Sequence, residues 1–295
     1  MNTDSKTLTT ALGGRWYGRY GVACCPAHDD RSPSLTLSQT ADGRLLLHCK
    51  TGCAFTEVLD ALRGLGLVEG YGNLPHLDPA RMAQREAEER AEAEKRARQA
   101  QAVWEEAQPI AGTVAEHYLR GRSITCNLPE SLRFHPACWH GATAQRLPAM
   151  VARIEGGDRF AIHRTYLRPG GSGKAEVQPA KAMLGNVAGG AVRVSQGQGP
   201  LVVAEGIETA LSLSSGLLRF PCQVWAALST SGLRGLRLPP HPQRLTIATD
   251  GDAPGREAGR ALAERADALG WTVSLLPAPE GRDWNDILLM KGASA

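Results

Sequence analysis

The chain has 295 residues and a formal net charge of +3, and hydrophobic residues make up 42% of it whereas aromatic residues make up only 5%. This length predicts two domains, or one large domain with an appendage. With so few aromatic rings we expect no extensive platform for stacking bases, so a nucleic acid would be held mainly by charge. No stretch approaches the roughly eighteen apolar residues of a membrane span, and the N-terminus has no signal-peptide pattern, so we expect a soluble cytoplasmic protein without a membrane partner.

The first candidate site is a cluster of cysteine and histidine residues near the N-terminus. Cys25-Pro-Ala-His28 and Cys49-Lys-Thr-Gly-Cys53 are separated by 20 residues that contain strand-like runs at 34–37 and 44–48, joined by a turn at 41–43. Such a hairpin brings the two pairs together, and three thiolates with one imidazole form a closed tetrahedral Zn²⁺ site of the zinc-ribbon type. The crowding of four of the seven cysteines into residues 24–53 also favours metal ligation over disulfides.

Two neighbouring residues leave the ligand set open. Cys24 is an alternative to Cys25, and His48 is an alternative to Cys49. Because alternate residues of an extended chain point to opposite sides, we favour Cys25 and Cys49. A module of about 70 residues cannot build a sufficient core unaided, so its folding is expected to depend on the zinc ion.

A long charged segment follows this module. A helix is predicted over residues 56–63, and Asp78-Pro79 is typical of a helix N-cap and first turn. From Ala80 to about Ala107 the chain consists mainly of Ala, Glu, Arg, Lys and Gln, which predicts a helix supported by intrinsic propensity and by ion pairs. We therefore predict a zinc module over residues 1–70 and a helical linker over residues 71–108.

The middle of the chain is its most basic part. Residues 109–200 contain eleven Lys and Arg against five acidic residues, which indicates a polyanionic partner or, alternatively, a solvated basic surface. Strand patterns at 149–154 and 160–167 predict an α+β subdomain over residues 109–197. The run Gly170-Gly-Ser-Gly-Lys174 does not match a P-loop, because Arg168 and Ala175 stand where Gly and Ser/Thr are required. Any replicative helicase partner would therefore be a separate polypeptide.

The C-terminal part alternates strands with helices. Apolar strands are predicted at residues 201–204, 223–228, 245–249 and 272–276, and helices near 207–215 and 253–269. This alternation predicts a parallel α/β sheet in a domain over residues 198–295. The predicted fold class is thus multidomain, α/β and α+β, with a zinc ribbon at the N-terminus.

Carboxylates follow two of these strands. Glu205 comes directly after the first strand, and Asp250 and Asp252 come after the third. Ligands gather beyond the carboxyl ends of parallel strands, so we expect these side chains to meet at one edge of the sheet. Three carboxylates suit the Mg²⁺ or Mn²⁺ ions used in phosphoryl transfer, and Asp283 and Asp286 are further candidate ligands. Taken singly, these motifs also fit a simple turn and a helix cap.

Two groups of motifs carry a resemblance to a known family. The run Cys25–Leu35, followed by Leu47–Cys53, resembles the zinc-binding domain of bacterial and phage DnaG-type primases. The strings Val203–Leu211 and Asp250–Ala258 resemble the Toprim domain, in the versions found in phage and plasmid primases.

The resemblance implies a DNA-dependent RNA primase of a phage, plasmid or other mobile element. Such an enzyme makes short primers from ribonucleoside triphosphates on a single-stranded DNA template. Asp250 and Asp252 would be metal ligands, and Glu205 would be a metal ligand or general base. The resemblance also implies nucleic-acid or nucleotide contacts from Arg31 and Lys50 in the zinc module, and from His163, Arg164, Lys174 and Lys181 in the middle segment.

One position departs from the family pattern and keeps two alternatives open. Cellular primases carry an Asp four residues after the catalytic Glu, whereas this chain has Thr209, with Glu208 beside it. A non-catalytic replication or anti-defence accessory is therefore one alternative. A metal-dependent Toprim nuclease is another, whereas a strand-passing enzyme also needs a nucleophilic Tyr, and none of the five tyrosines lies in residues 198–295.

Overall fold

The computed structural model describes residues 4–40, 44–68 and 79–292 and divides the chain into two compact units, Met1–Ala83 and Gln84–Ala295. The turn predicted at 41–43, residues 69–77 of the predicted boundary region and the predicted N-cap Asp78 lie outside the described residues. No helix in the described ranges is long and apolar enough to cross a membrane.

The N-terminal unit is a four-stranded antiparallel sheet packed against helices. Its elements are α1 (Ser5–Ala11), β1 (Arg15–Trp16), β2 (Tyr20–Ala23), β3 (Leu35–Gln39), β4 (Leu45–Cys49) and α2 (Phe55–Gly64), with the strands in the order β1-β2-β3-β4. Alternate residues of β3, Leu35 and Leu37, are buried against Leu8 of α1 and Leu62 of α2. The predicted β3–β4 hairpin and the helix α2 are present in the fold.

A long helix, α3 (Pro79–Glu106), leads into the second unit. Ion pairs three or four residues apart link its charged side chains, as predicted. Its last turns bury Ala100 and Trp104 against Val151 and Ile162. The C-terminal end of the predicted linker is therefore part of a packed core, which the largely charged composition of the helix concealed.

The middle of the chain forms a five-stranded antiparallel sheet. Its elements are β5 (Gln108–Pro109), α4 (Val114–Gly121), β6 (Leu132–His140), β7 (Gln145–Ile154), β8 (Ala161–Tyr166) and β9 (Lys181–Gly185), with the strands in sequence order. The predicted strands at 149–154 and 160–167 correspond to β7 and β8. Strands β6 and β9 were not predicted. In β6, Pro136 and a register shift between His135 and Cys138 interrupt the regular strand pattern.

The C-terminal part is a mixed five-stranded sheet with the order β10-β12-β11-β13-β14. Its elements are β10 (Val192–Gln196), β11 (Leu201–Ala204), α5 (Ile207–Ser212), β12 (Gln223–Ala226), α6 (Thr230–Gly235), β13 (Arg244–Ala248), α7 (Ala253–Ala268), β14 (Thr272–Leu275) and α8 (Trp284–Gly292). The four predicted strands are parallel, whereas β10 adds an unpredicted antiparallel strand at one edge. The helix predicted to reach residue 215 ends at Ser212 and continues as a π-helical turn, Leu213–Leu217.

The register of the parallel strands aligns their carboxyl ends. Ala204, the last residue of β11, pairs with Ala226 of β12 on one side and with Ala248 of β13 on the other. All four residues of β11 are buried, as expected for a central parallel strand. The segments that follow these three strands therefore leave the sheet at the same edge.

Candidate metal centres

Four side chains converge near the end of the β3–β4 hairpin. The ligand atoms of Cys25, His28, Cys49 and Cys53 all lie within 4.8 Å of one another, and Cys53 Sγ is 3.2 Å from His28 Nδ1. Three sulfurs and one imidazole at this spacing fit a closed tetrahedral Zn²⁺ site. Among the described residues, no other group of three or more His, Cys, Asp or Glu side chains lies close enough to share one ion.

Asp30, which no sequence pattern indicated, contacts two members of this cluster. Its carboxylate accepts hydrogen bonds from the Ser34 hydroxyl (2.5 Å) and the Cys25 amide (2.8 Å), and these donors lower the pKa of Asp30 to about 2. The carboxylate also lies 3.8 Å from His28 Nε2, while Nδ1 of the same ring faces Cys53. A carboxylate near the second ring nitrogen is a common way to fix the tautomer of a ligating histidine.

Hydrogen bonds favour the thiolate form of one cysteine in the cluster, Cys49. Burial raises the pKa of Cys49, but the amides of Cys53 and Thr51 and the Ser34 hydroxyl outweigh burial and lower it to about 6. Burial, together with the neighbouring Cys49, raises the pKa of Cys25 to about 12. Zinc binds the thiolate form, so Cys49 is the ligand best prepared to receive the ion.

The alternative ligands lie outside this group. Cys24 and His48 each precede a member of the cluster along an extended segment, and His48 is exposed. Arg31 and Lys50, the predicted DNA contacts of this module, are exposed as well. Their contact with DNA stays a prediction.

The carboxylates predicted to bind Mg²⁺ lie at the carboxyl edge of the parallel sheet. Glu205 follows β11, and Asp250 and Asp252 follow β13. Asp252 is also the N-cap of α7, because its Oδ1 accepts a hydrogen bond from the Gly255 amide at 2.8 Å. A β-carbon at Gly255 would lie 2.8 Å from Asp252 Oδ1 and 3.0 Å from Glu205 Oε2, so both carboxylates approach a point that only glycine leaves free.

These carboxylates repel one another. Burial and the charges of Asp250 and Asp252 raise the pKa of Glu205 to about 7, against an opposing influence from Lys181. Burial and the charge of Asp283 raise the pKa of Asp250. Glu205 Oε2 is buried and has no hydrogen-bond partner in the described part of the chain. A divalent cation prefers carboxylate ligands. Such an ion would reduce the repulsion between these carboxylates and would give the buried Glu205 oxygen a partner.

Asp283 and Asp286 lie at the start of α8, where they cap each other. The Asp286 amide donates to Asp283 Oδ1 at 2.8 Å, and the Asp283 amide donates to Asp286 Oδ2 at 3.1 Å. The Gly251 amide donates to the Arg282 carbonyl at 2.8 Å, which ties this segment to the loop after β13. One oxygen of each carboxylate stays outside this capping arrangement. Mg²⁺ commonly takes one or two carboxylates and completes its shell with water and phosphate oxygens.

Glu205, Asp250 and Asp252 form the acidic cluster, and Thr209 contacts it directly. Its side chain is 4% exposed, and its hydroxyl donates a hydrogen bond to Asp250 Oδ1 at 3.2 Å, which opposes the rise in the pKa of Asp250. The position that carries Asp in cellular primases therefore holds a neutral donor to a candidate metal ligand in this chain.

Glu208, on the same helix, is buried and contacts two partly exposed lysines. It is 5% exposed, and it accepts hydrogen bonds from the Tyr118 hydroxyl (3.0 Å) and Lys181 Nζ (3.1 Å), while Lys174 Nζ lies 3.3 Å away. Burial alone would raise the pKa of Glu208, but Lys181 and Lys174 hold it well below its ordinary value. The carboxylate therefore stays charged and holds both lysines. This network was not predicted, because the partners of Glu208 are 27 to 90 residues away along the chain.

Of the other two predicted phosphate contacts of the middle segment, His163 is buried and Arg164 is hydrogen-bonded within the protein. His163 is 4% exposed, and burial, together with the nearby Lys181, lowers its pKa to about 4, so its ring is neutral at neutral pH. The Arg164 guanidinium donates to the carbonyls of Trp139 (3.2 Å) and Met183 (3.3 Å). By contrast, the side chain of Lys181 is 40% exposed, and therefore accessible to a ligand.

Two family models match parts of the chain. Residues 94–194 match a domain of unknown function, DUF7146, and residues 200–294 match the Toprim domain. Residues 200–294 form a Toprim domain. Glu205, Asp250 and Asp252 all lie within this domain, whereas Lys174 and Lys181 belong to the DUF7146 match. No curated protein matches the chain.

Several solved structures of primases are similar to this chain at low sequence identity. The zinc-binding and RNA polymerase domains of the Aquifex aeolicus primase are 14% identical with a TM-score of 0.42, over 98% of this chain and 80% of that one. The RNA polymerase domain of Mycobacterium tuberculosis primase DnaG is 15% identical with a TM-score of 0.40, over 68% and 80%. The primase fragment of the bacteriophage T7 primase-helicase protein is 12% identical with a TM-score of 0.35, over 92% and 98%.

Proposed function

We propose that the protein is a DNA primase, a metal-dependent nucleotidyltransferase that makes short RNA primers on single-stranded DNA. This proposal rests on the position of Glu205, Asp250 and Asp252 at one edge of the Toprim sheet. The charges of the two aspartates raise the pKa of Glu205 and Lys181 opposes that rise, although no three acidic side chains of the described residues lie close enough to share one ion. A divalent cation held by carboxylates and a neighbouring cationic side chain can both contact the phosphates of a nucleoside triphosphate.

Each residue at this edge of the sheet has a separate role in the proposed reaction. Asp250 and Asp252 would hold Mg²⁺ or Mn²⁺, which when bound neutralises the triphosphate and orients it for in-line attack. Glu205 would accept the proton of the attacking 3′-hydroxyl as a general base. The 3′-oxygen forms a bond to the α-phosphorus of the second nucleotide, and the bond to pyrophosphate breaks. Lys181 offsets the negative charge of the departing pyrophosphate.

The N-terminal module is proposed to carry a structural Zn²⁺ ion and to contact the template. Cys25, His28, Cys49 and Cys53 supply a complete ligand set, which leaves no position open for chemistry. The exposed basic side chains of this module, with the partly exposed lysines of the middle segment, would contact phosphates, which position a strand without reading its sequence. Any helicase partner would act as a separate polypeptide.

The test is a priming assay with single-stranded DNA, labelled ribonucleoside triphosphates and Mg²⁺ or Mn²⁺. Short labelled products are expected from the wild-type protein, and Asp250→Asn should abolish them. Asp267→Asn, an exposed position on α7, is the matched control and should leave synthesis unchanged. Cleavage of the DNA without synthesis would indicate the nuclease alternative, and binding of DNA without either reaction would indicate a non-catalytic accessory.

A further inference from the structure

A pocket of about 460 Å³ opens on the second unit of the chain. One wall is formed by residues 183–189, from β9 and the loop after it, and the other by residues 227–235, after β12. The lining combines apolar groups with a few polar side chains, namely Met183, Val187, Leu228, Asn186, Ser229 and Ser231. This size and this mixture are typical of sites for small molecules.

The sheet register places the second wall beside the acidic cluster. Ala226 of β12 pairs with Ala204 of β11, and the Ala227 amide donates to the Ala204 carbonyl at 2.9 Å. Leu228 therefore leaves the sheet next to the point where Glu205 leaves it, one strand away. The pocket and the acidic cluster share one edge of the Toprim sheet.

The first wall reaches the same region along β9. Lys181 and Met183 are two residues apart in this strand, so their side chains lie on the same face, about 7 Å apart. Lys181 is the residue that pairs with Glu208, and Met183 lines the pocket. A ligand with a negative end at Lys181 and a flat, mostly apolar end in the pocket would span this distance.

The wall after β12 is held in one defined conformation. Leu228 has a φ of +75°, in the left-handed region that side chains of this kind rarely adopt. A β-carbon at Gly232 would overlap the Ala227 carbonyl, and the Gly232 amide donates to Ser229 Oγ at 3.0 Å. A strained residue fixed by its surroundings is a recurrent feature of ligand sites.

We propose that this pocket receives the base and ribose of a ribonucleoside triphosphate whose phosphates lie at Lys181 and the acidic cluster. This subsite rests on the proposed function and names where its substrate is held. Met183 and Leu228 contact the faces of the base. The Asn186 Oδ1 accepts a hydrogen bond from the Ala188 amide at 3.2 Å, which leaves the side-chain NH₂ as a donor to the ligand. The hydroxyls of the second wall complete the polar contacts.

Photo-crosslinking of the full-length protein with 8-azidoadenosine triphosphate and Mg²⁺ tests this assignment without requiring catalysis. After digestion and mass spectrometry, the label is expected in residues 183–189 or 227–235, and unlabelled ribonucleoside triphosphate should compete with it. Ala188→Trp, at an exposed position in the first wall, should reduce labelling and raise the KM for nucleotide about tenfold or more. Ala142→Trp, exposed between β6 and β7, is the control and should change neither.

The outcomes separate this inference from the proposed function. Labelling outside the two walls, or labelling that only single-stranded DNA displaces, overturns the subsite even if primers are made. Unchanged labelling and KM in the Ala188→Trp variant overturn it as well. Specific labelling of the pocket in a protein that makes no primers supports the subsite and contradicts the proposed function.

Discussion

The Lys181 ammonium group lies 3.1 Å from the carboxylate of Glu208, and this contact joins the antiparallel sheet of the middle segment to the Toprim domain. Lys181 is the first residue of β9, whereas Glu208 lies in the first turn of α5, directly after the Glu205 turn. Lys174 contacts the other oxygen of the same carboxylate at 3.3 Å. One buried acid thus holds two positive charges in place.

Replacing Glu208 by Gln keeps the size of the side chain but removes the charge that the two lysines share. We expect the free energy of unfolding to fall by about 1–3 kcal/mol, less than for a fully buried pair, because the lysine side chains are 35% and 40% exposed. Urea unfolding at pH 7 measures the change. Glu155→Gln is the matched control, since Glu155 also contacts two cations, Arg153 and Arg193, but is 21% exposed. Equal losses in the two variants would contradict a special role for burial.

The same carboxylate predicts a dependence of stability on pH. The pKa of Glu208 is lower in the folded protein than in the unfolded chain, so the unfolded chain binds more protons as the pH falls. The stability that Glu208 contributes is therefore complete above its unfolded pKa, about 4.3, and declines below it. The difference in unfolding free energy between wild type and Glu208→Gln should shrink from pH 6 to pH 3. A difference that stays constant over this range would show that the carboxylate charge is not its source.

For Glu205 we expect the opposite dependence of the unfolding free energy on pH. Its folded pKa of about 7 lies above the unfolded value, so the folded protein binds more protons between about pH 4.5 and 7 and loses stability as the pH rises through this window. Without added Mg²⁺, Glu205→Gln should be more stable than the wild type at pH 8, by about 1–2 kcal/mol, and the gain should be small at pH 5. Thermal unfolding at both pH values measures this. A loss of stability at pH 8 would argue against repulsion within the cluster.

Thr209 is expected to tune the affinity of the acidic cluster for cations. Thr209→Val preserves the shape but removes the hydrogen bond to Asp250, so the pKa of Asp250 should rise further. Binding of Mn²⁺, followed by electron paramagnetic resonance at a lower and a higher pH, should weaken more at the lower pH, where protons compete with the ion for Asp250. Unchanged Mn²⁺ affinity at both pH values would show that Asp250 is not a ligand or that the hydroxyl does not act on it.

Adjacent cysteines provide a matched pair of variants for the zinc centre. We expect one zinc ion per chain in the wild type and in Cys24→Ser, and loss of the ion in Cys25→Ser, because only Cys25 belongs to the four-ligand group. Hydrogen exchange should then accelerate in β3 and β4 and stay unchanged in β11 and β13, since zinc binding is coupled to folding of its own module. Elemental analysis decides the ligand set, and zinc loss from Cys24→Ser would revise it.

Local patterns in the sequence were sufficient for the elements around the acidic cluster. The apolar runs that became β11 and β13 end in turn residues and carboxylates, and the parallel arrangement follows from the alternation of strands and helices. The helix α7 was equally clear, with Asp252 at its N-cap and an apolar face. The placement of Glu205 and Asp250 at one edge of the sheet therefore followed from general rules about sheets.

Contacts between distant segments could not be predicted in this way. The antiparallel strand β10 joins the Toprim sheet through pairing with β12, which no local signal specifies. The partners of Glu208 depend on how the middle sheet packs against α5, and the burial of His163 depends on the same packing. Sequence patterns identified Lys181 as a basic residue, but only the structure places it beside the acidic edge.

Primer synthesis at the Toprim carboxylates is tested most directly by the mass of the smallest product made by the wild-type protein. The reaction contains single-stranded DNA, Mg²⁺ or Mn²⁺ and unlabelled ribonucleoside triphosphates, with Asp250→Asn run in parallel. We predict a dinucleotide that retains its 5′-triphosphate, with one pyrophosphate released for each bond formed, and no such product from the variant. Shortened DNA without any dinucleotide, or a dinucleotide formed equally well by Asp250→Asn, would contradict primer synthesis at the Toprim carboxylates.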